Sequence, residues 1–198
     1  MASVFYALRP GTQTIAEIHS GIRAYRKEGG EADGRVSWVN GLDLHTTLIH
    51  FKQIGDKDIE QVKGLADKVA MPEEFSAKVV DVNILGESIV LIFDHQAAKK
   101  IHEDLLKLHE KELSSVPISR HSGFIAHVSI GSVKDTKSGN HEDIIDALRK
   151  KFVGTSLTFD HVDLMTGRVD RTNGPAYDTI LTKPLGDDGS QNKLSNAF

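Results

Sequence analysis

The chain has 198 residues, 26% charged and 39% hydrophobic, the balance of a globular domain with a proper core. It contains no cysteine, so disulfides and thiolate metal sites are excluded, which fits a reducing compartment and a cytoplasmic protein. A formal net charge of −4 argues against a grip on long nucleic acid, which needs a basic stripe to displace counterions, but is compatible with a small nucleotide or short oligonucleotide held in a local cleft.

The first residues, Met1-Ala2-Ser3-Val4-Phe5-Tyr6, carry no basic segment and no long apolar run, so neither secretion nor a membrane span is expected. Residues 3–8 alternate as a strand, broken at Arg9-Pro10-Gly11. A helix is predicted from about Thr14, where Thr14 and Glu17 form a capping box and Ile15, Ile18, Ile22 and Tyr25 recur at helical spacing. It ends at Gly29-Gly30, and residues 31–41 read as a polar, glycine-bearing loop holding the single tryptophan, Trp38. Residues 44–51 form a strand and 58–70 a helix; 75–85 and 88–93 form a hairpin turning at Gly86-Glu87, and 97–113 the longest helix. After a loop over 114–123 come a strand at 125–133, a helix near 142–152, a strand near 156–165, a loop with Arg168 and Arg171, and a last strand at 177–183. Residues 1–185 are expected to fold as a single bilobal domain, and the polar stretch 186–198 to fray as a tail.

Two of these strands carry the same pattern. The first reads His45-Thr46-Thr47-Leu48 and the second His127-Val128-Ser129-Ile130. Residues two apart in a strand share a face, so each strand sets an imidazole beside a hydroxyl and turns apolar residues the other way. The remaining histidines do not repeat this: Gly21 follows His19, Lys52 follows His50 and Asp163 follows His161 at the same offset. Each motif strand is followed by helix, strand, strand, and the interval from His45 to Phe75 equals that from His127 to Leu157. Such order points to an internal duplication, two similar halves each contributing one histidine strand.

The paired His-x-Thr/Ser-apolar strands resemble the two-histidine (2H) phosphoesterase superfamily, which includes RNA 2′,5′-ligase/cyclic phosphodiesterases, viral 2′,5′-oligoadenylate phosphodiesterases and phage nucleases acting on cyclic-nucleotide signals. The resemblance covers most of the chain, to Lys183; Ser129 stands where threonine is commoner and keeps the hydroxyl. It implies an α+β, bilobal fold, with two pseudo-symmetric antiparallel sheets around a central cleft and helices outside. It also implies a metal-independent phosphodiesterase without cofactor, acting on 2′,3′-cyclic phosphates, 2′,5′-linked oligonucleotides or cyclic nucleotides; a monomer is expected. Imidazole titrates near neutrality, so one histidine would accept the attacking proton and the other supply the leaving group's, with Thr47 and Ser129 bonding the non-bridging oxygens. Which histidine is the base stays open. A binding module that sequesters a nucleotide in the same cleft without turnover is the alternative.

Other candidates have two readings each. Trp38 either stacks a base or packs at the cleft edge; Tyr6, on the first strand, either contacts substrate or is buried; Phe124 either lines the pocket or belongs to the core. Arg168 and Arg171, and also Arg120 with His121, are candidate phosphate ligands against a reading as solvated loop charge. His102 and His109 are expected on the wet face of the long helix. His95, His102 and His109 recur at sevens but lack the carboxylates or spacing of a zinc site, so no metal is expected.

Overall fold

The computed structural model describes residues 2–30, 34–119, 123–134, 141–168 and 174–186; the expected tail past Gly186, and Arg120, His121 and Arg171, lie outside the described residues. The elements are β1 (Ala2–Pro10), α1 (Thr12–Tyr25), β2 (Val36–Trp38), a 3-10 turn (Gly41–Asp43), β3 (Thr46–Ile54), α2 (Asp56–Ala66), β4 (Phe75–Leu85), β5 (Ser88–Phe93), α3 (Gln96–Glu112), β6 (His127–Val133), α4 (Glu142–Phe152), β7 (Ser156–Gly167) and β8 (Tyr177–Pro184). A short π-helical turn, Arg26–Gly30, follows α1.

Alternation in β1 puts Val4, Tyr6 and Leu8 into the main core, whereas Phe5 and Ala7 face the other way and form a small separate cluster with Met165. The helix α1 starts before the expected capping box, because the Thr14 hydroxyl serves the sheet instead: it accepts the Thr158 N–H of β7 at 3.0 Å. The β4–β5 hairpin turns at Gly86, whose φ of 64° is the left-handed conformation that glycine adopts without a Cβ clash. Helix α3 packs against β3 and α2, and α4 against β4 and α1. α4 commits Ile144, Ile145, Leu148 and Phe152 to the core, the spacing of one helical face.

All strand pairings are antiparallel, in the order β2-β6-β5-β4-β7-β1-β3, with β8 added to β7. The α+β antiparallel architecture expected from sequence is the one observed. The two sheets are joined through β4, which pairs with β7 over 75–78 and with β5 from Val79 onward. A register irregularity between Val79 and Asp81 marks the crossing. The halves are also interleaved: β6 of the second half lies beside the β5–β4 hairpin of the first, while β3 of the first half shares its sheet with β7 and β8.

The strand β2 falls in the stretch read from sequence as loop. It pairs with β6, setting Trp38 opposite Gly131, where a Cβ would come within 3.1 Å of Trp38 Cε3 and 3.0 Å of Val36 Cγ1. The indole meets the Tyr25 ring edge-on at 5.7 Å and packs on the core.

Candidate functional site

A cavity of about 990 Å³ has both motif histidines in its wall. Thr47 lines it too, with Phe5, His50, Phe124 and Tyr177. Ser129 shares the His127 face of β6 and is half-buried, but is not part of the cavity wall. Neither motif hydroxyl has a hydrogen-bond partner among the described residues.

Each motif strand carries a bulge at the same place. Ala7 of β1 pairs with Thr47 and Tyr6 with Ile49, so Leu48 is an extra residue. In β6, Val90 pairs with Ser129 and Ile89 with Gly131, so Ile130 is extra. The apolar residue that closes each motif is thus the inserted one, buried to 2% exposure or less in both strands. A bulge bends its strand and shifts the phase of the side chains that follow. For that reason His50, which strict alternation would send with Thr46 and Leu48 to the core, looks into the cavity beside Thr47. There its Nδ1 lies 2.7 Å from Ser119 Oγ and its Nε2 2.6 Å from Ser3 Oγ.

The two histidines are held alike. His45 Nδ1 is 2.6 Å from the Asp43 carbonyl and His127 Nδ1 2.7 Å from the Ile125 carbonyl, two residues upstream in each case. A carbonyl only accepts, so each Nδ1 carries a hydrogen and each Nε2 is left for chemistry. Their surroundings differ. Phe5 packs on His45 with ring centroids 4.9 Å apart, and Tyr177 meets it edge-on at 5.5 Å. Burial lowers the His45 pKa from 6.5 to about 4, opposed by the bond to Asp43 and reinforced by the charges of Arg9 and of His127. His45 is therefore neutral at neutral pH.

The loop before His45 is fixed from three sides. Asn40 Oδ1 accepts the Leu42 N–H at 3.0 Å; Arg9, 7% exposed, donates from Nη2 to the Leu42 carbonyl at 2.8 Å; and the buried Asp43 carboxylate accepts the Ala176 N–H at 2.9 Å. This last bond holds the start of β8 against the turn and brings Tyr177 onto His45. Arg9 also lies 3.5 Å from Asp163, which shares its burial. Sequence reading took Arg9 only as the end of a strand; a lone arginine there carries no signal of burial until its acidic partner on β7 is known.

Of the expected substrate contacts, Phe124 is in the cavity wall, stacked on His102 with centroids 4.3 Å apart and planes 9° from parallel. Tyr6 is not. It is 1% exposed on the core side of β1, where its hydroxyl donates to the Val62 carbonyl and accepts the Ala66 N–H of α2, and it is Phe5, one residue earlier, that faces the cleft. Trp38 is outside the cavity wall for the packing reason given above, and Arg168 pairs with Asp178 at 3.4 Å, also outside it. The expectation of a wet face for His102 and His109 is corrected too: His102 faces the cavity and donates from Nδ1 to the carbonyl of the bulged Leu48 at 2.6 Å, and His109 is 3% exposed with Nε2 2.8 Å from the Val116 carbonyl. Along α3 a seven-residue interval spans roughly 10 Å, too far for His95, His102 and His109 to share an ion. Among the described residues no group of three or more His, Cys, Asp or Glu side chains is placed to hold a metal.

No known protein-family model matches the sequence. The fold has clear relatives among solved structures. Escherichia coli LigT complexed with 3′-AMP superposes with a TM-score of 0.66 at 13% identity, covering 93% of this chain and 98% of LigT. The Thermus thermophilus protein TT0787 gives 0.67 at 15%, covering 93% and 98%, and the MHV ns2 PDE domain 0.55 at 12%, covering 83% and 99%. LigT has also been solved with ATP and with NADP+. These relatives are 2H phosphoesterases, and the chain shares their fold. No helix among the described residues is long and apolar enough to cross a membrane.

Proposed function

We propose that the chain is a phosphodiesterase acting on a small nucleotide, with His45 as general base and His127 as general acid. One observation carries this reading: two imidazoles from separate halves, each with Nδ1 tied to a backbone carbonyl, line one nucleotide-sized cavity. In-line displacement at phosphorus needs a base on the attacking side and an acid on the leaving side. The neutral His45, covered by Phe5 and Tyr177, takes the proton of the attacking water through Nε2; the less covered His127 gives its proton to the departing ribose oxygen as the P–O bond breaks. Thr47, in the cavity wall with a hydroxyl that has no partner among the described residues, donates to a non-bridging oxygen as negative charge grows there. Ser129 is the corresponding donor of the second half. On a 2′,3′-cyclic phosphate the attacker is water; on a 2′,5′ linkage it is the neighbouring ribose hydroxyl, with a cyclic phosphate as product. Complexes of LigT with 3′-AMP, ATP and NADP+ support the choice of a nucleotide.

The test is turnover of a 2′,3′-cyclic nucleotide and a 2′,5′-linked dinucleotide, in EDTA, by wild type, His45→Ala and His127→Ala. Loss of a proton-transfer partner lowers kcat by about 10²–10⁴-fold. Full activity in either variant removes the histidine pair from the mechanism. The wild-type rate should follow a bell-shaped pH profile whose acidic limb lies well below 6.5, near the His45 value of about 4.

A further inference from the structure

The cavity is larger than one phosphate requires, and its far part has a chemistry of its own. Helix α3 lines it with His102, Leu106 and Glu110, one residue per helical turn on a single face. The Phe124 ring lies parallel to the His102 imidazole, 4.3 Å away, and both are in the wall. His102 is locked by its Nδ1 bond to the bulged Leu48, so the pair is a fixed platform. Glu110 is exposed, and among the described residues it forms no ion pair or hydrogen bond and no other carboxylate is in the wall.

We propose that Phe124, His102, Leu106 and Glu110 form a nucleobase subsite, selective for bases that carry an exocyclic amine. This rests on the placement of the scissile phosphate between His45 and His127. A flat platform extends naturally to a third ring, because every base has a π-face, and Leu106 supplies apolar cover. The Glu110 carboxylate accepts hydrogen bonds and donates none, so it meets the amine of adenine, cytosine or guanine. It also repels a second phosphate, which makes the far end a site for a base and not for a polyphosphate or the next nucleotide unit. Uracil has a single donor on that edge, N3–H, flanked by two carbonyl oxygens that repel the carboxylate, and is disfavoured.

The experiment compares kcat/KM for the 2′,3′-cyclic phosphates of adenosine, cytidine, guanosine and uridine, and for baseless ribose 2′,3′-cyclic phosphate, in wild type, Glu110→Leu and Phe124→Ala. Wild type should favour the amine-bearing bases over uridine by about tenfold, the size of one charge-assisted hydrogen bond. Glu110→Leu should abolish that ratio without lowering turnover of the uridine substrate. Phe124→Ala should raise KM about tenfold for every nucleoside substrate and leave the baseless one unchanged. Equal kcat/KM across all five substrates overturns the subsite and leaves the phosphodiesterase reading intact. Absence of turnover on any substrate overturns the latter, and the subsite is then decided by calorimetric binding of 3′-AMP against 3′-UMP to wild type and Glu110→Leu: a preference that vanishes in the variant upholds it, and equal affinities overturn it.

Discussion

Replacing Tyr6 by Phe separates a structural tyrosine from a substrate contact. The Tyr6 hydroxyl sits between the Val62 carbonyl and the Ala66 N–H, two groups that an uninterrupted last turn of α2 would join directly. It thereby welds α2 to β1 deep in the core, and burial pushes its pKa well above the usual tyrosine value. Phenylalanine keeps the ring and its packing but leaves both backbone groups without that partner. The cost is about 1–3 kcal/mol, toward the lower end if α2 closes its own bond. For a chain of this size a loss of about 2 kcal/mol lowers the thermal midpoint by about 4–8 °C. Calorimetry or circular dichroism at a fixed scan rate reads the midpoint; KM for a cyclic nucleotide, measured well below it, should stay within twofold. An unchanged midpoint together with a raised KM would refute the core assignment and return Tyr6 to the cleft.

Thr47→Ala should lower kcat about 10²–10³-fold, whereas Ser129→Ala, one hydroxyl removed from the cavity wall, should cost less than about tenfold; equal losses would contradict the cavity geometry. His45 binds its proton more weakly in the folded chain, at about 4, than in the unfolded chain near 6.5, so its contribution to stability is complete above pH 6.5 and is lost as pH falls toward 4. Chemical denaturation at pH 7 and pH 4.5 should therefore show wild type losing more stability than His45→Gln; parallel losses would mean that the imidazole is not desolvated. Gly131→Ala forces a methyl against Val36, Trp38 and the Ser37 carbonyl, and should cost about 1–3 kcal/mol while shifting the emission of the single tryptophan. Unaltered emission and stability would show that β2 does not lie against β6.

The elements legible in the sequence were those whose pattern is local. The α4 span, the β4–β5 hairpin at Gly86 and the faces of both motif strands follow from periodicity and turn chemistry alone. Tyr6 is left open between cleft and core in the sequence reading although the information to decide is present: the alternation that buries Val4 and Leu8 buries Tyr6 with them and turns Phe5 to the cleft side. His50 was hidden for the opposite reason, since a bulge at Leu48 inverts the parity on which face assignment depends, and a bulge leaves no mark in a single sequence. β2 was missed because three residues in a polar stretch give too short a signal, and their pairing is decided by Gly131, far along the chain. Arg9 and Asp43 show the same limit, for each is explained by a partner on another element.

The shared strand β4 has a consequence for evolution of the cleft. Its crossing point at Val79–Asp81 joins the two sheets, and on the opposite flank the segment from Pro117 to Ser119 is stitched to β3 by the Lys52 N–H to Pro117 and Ser119 N–H to His50 carbonyl bonds. Spacing between the jaws is thus anchored at the β4 crossing and along the β3 edge, by backbone bonds that involve neither motif imidazole. Lengthening or shortening β4 by a residue at the crossing would reset the aperture, and with it the size of acceptable guest, while every side chain that touches the guest stayed the same.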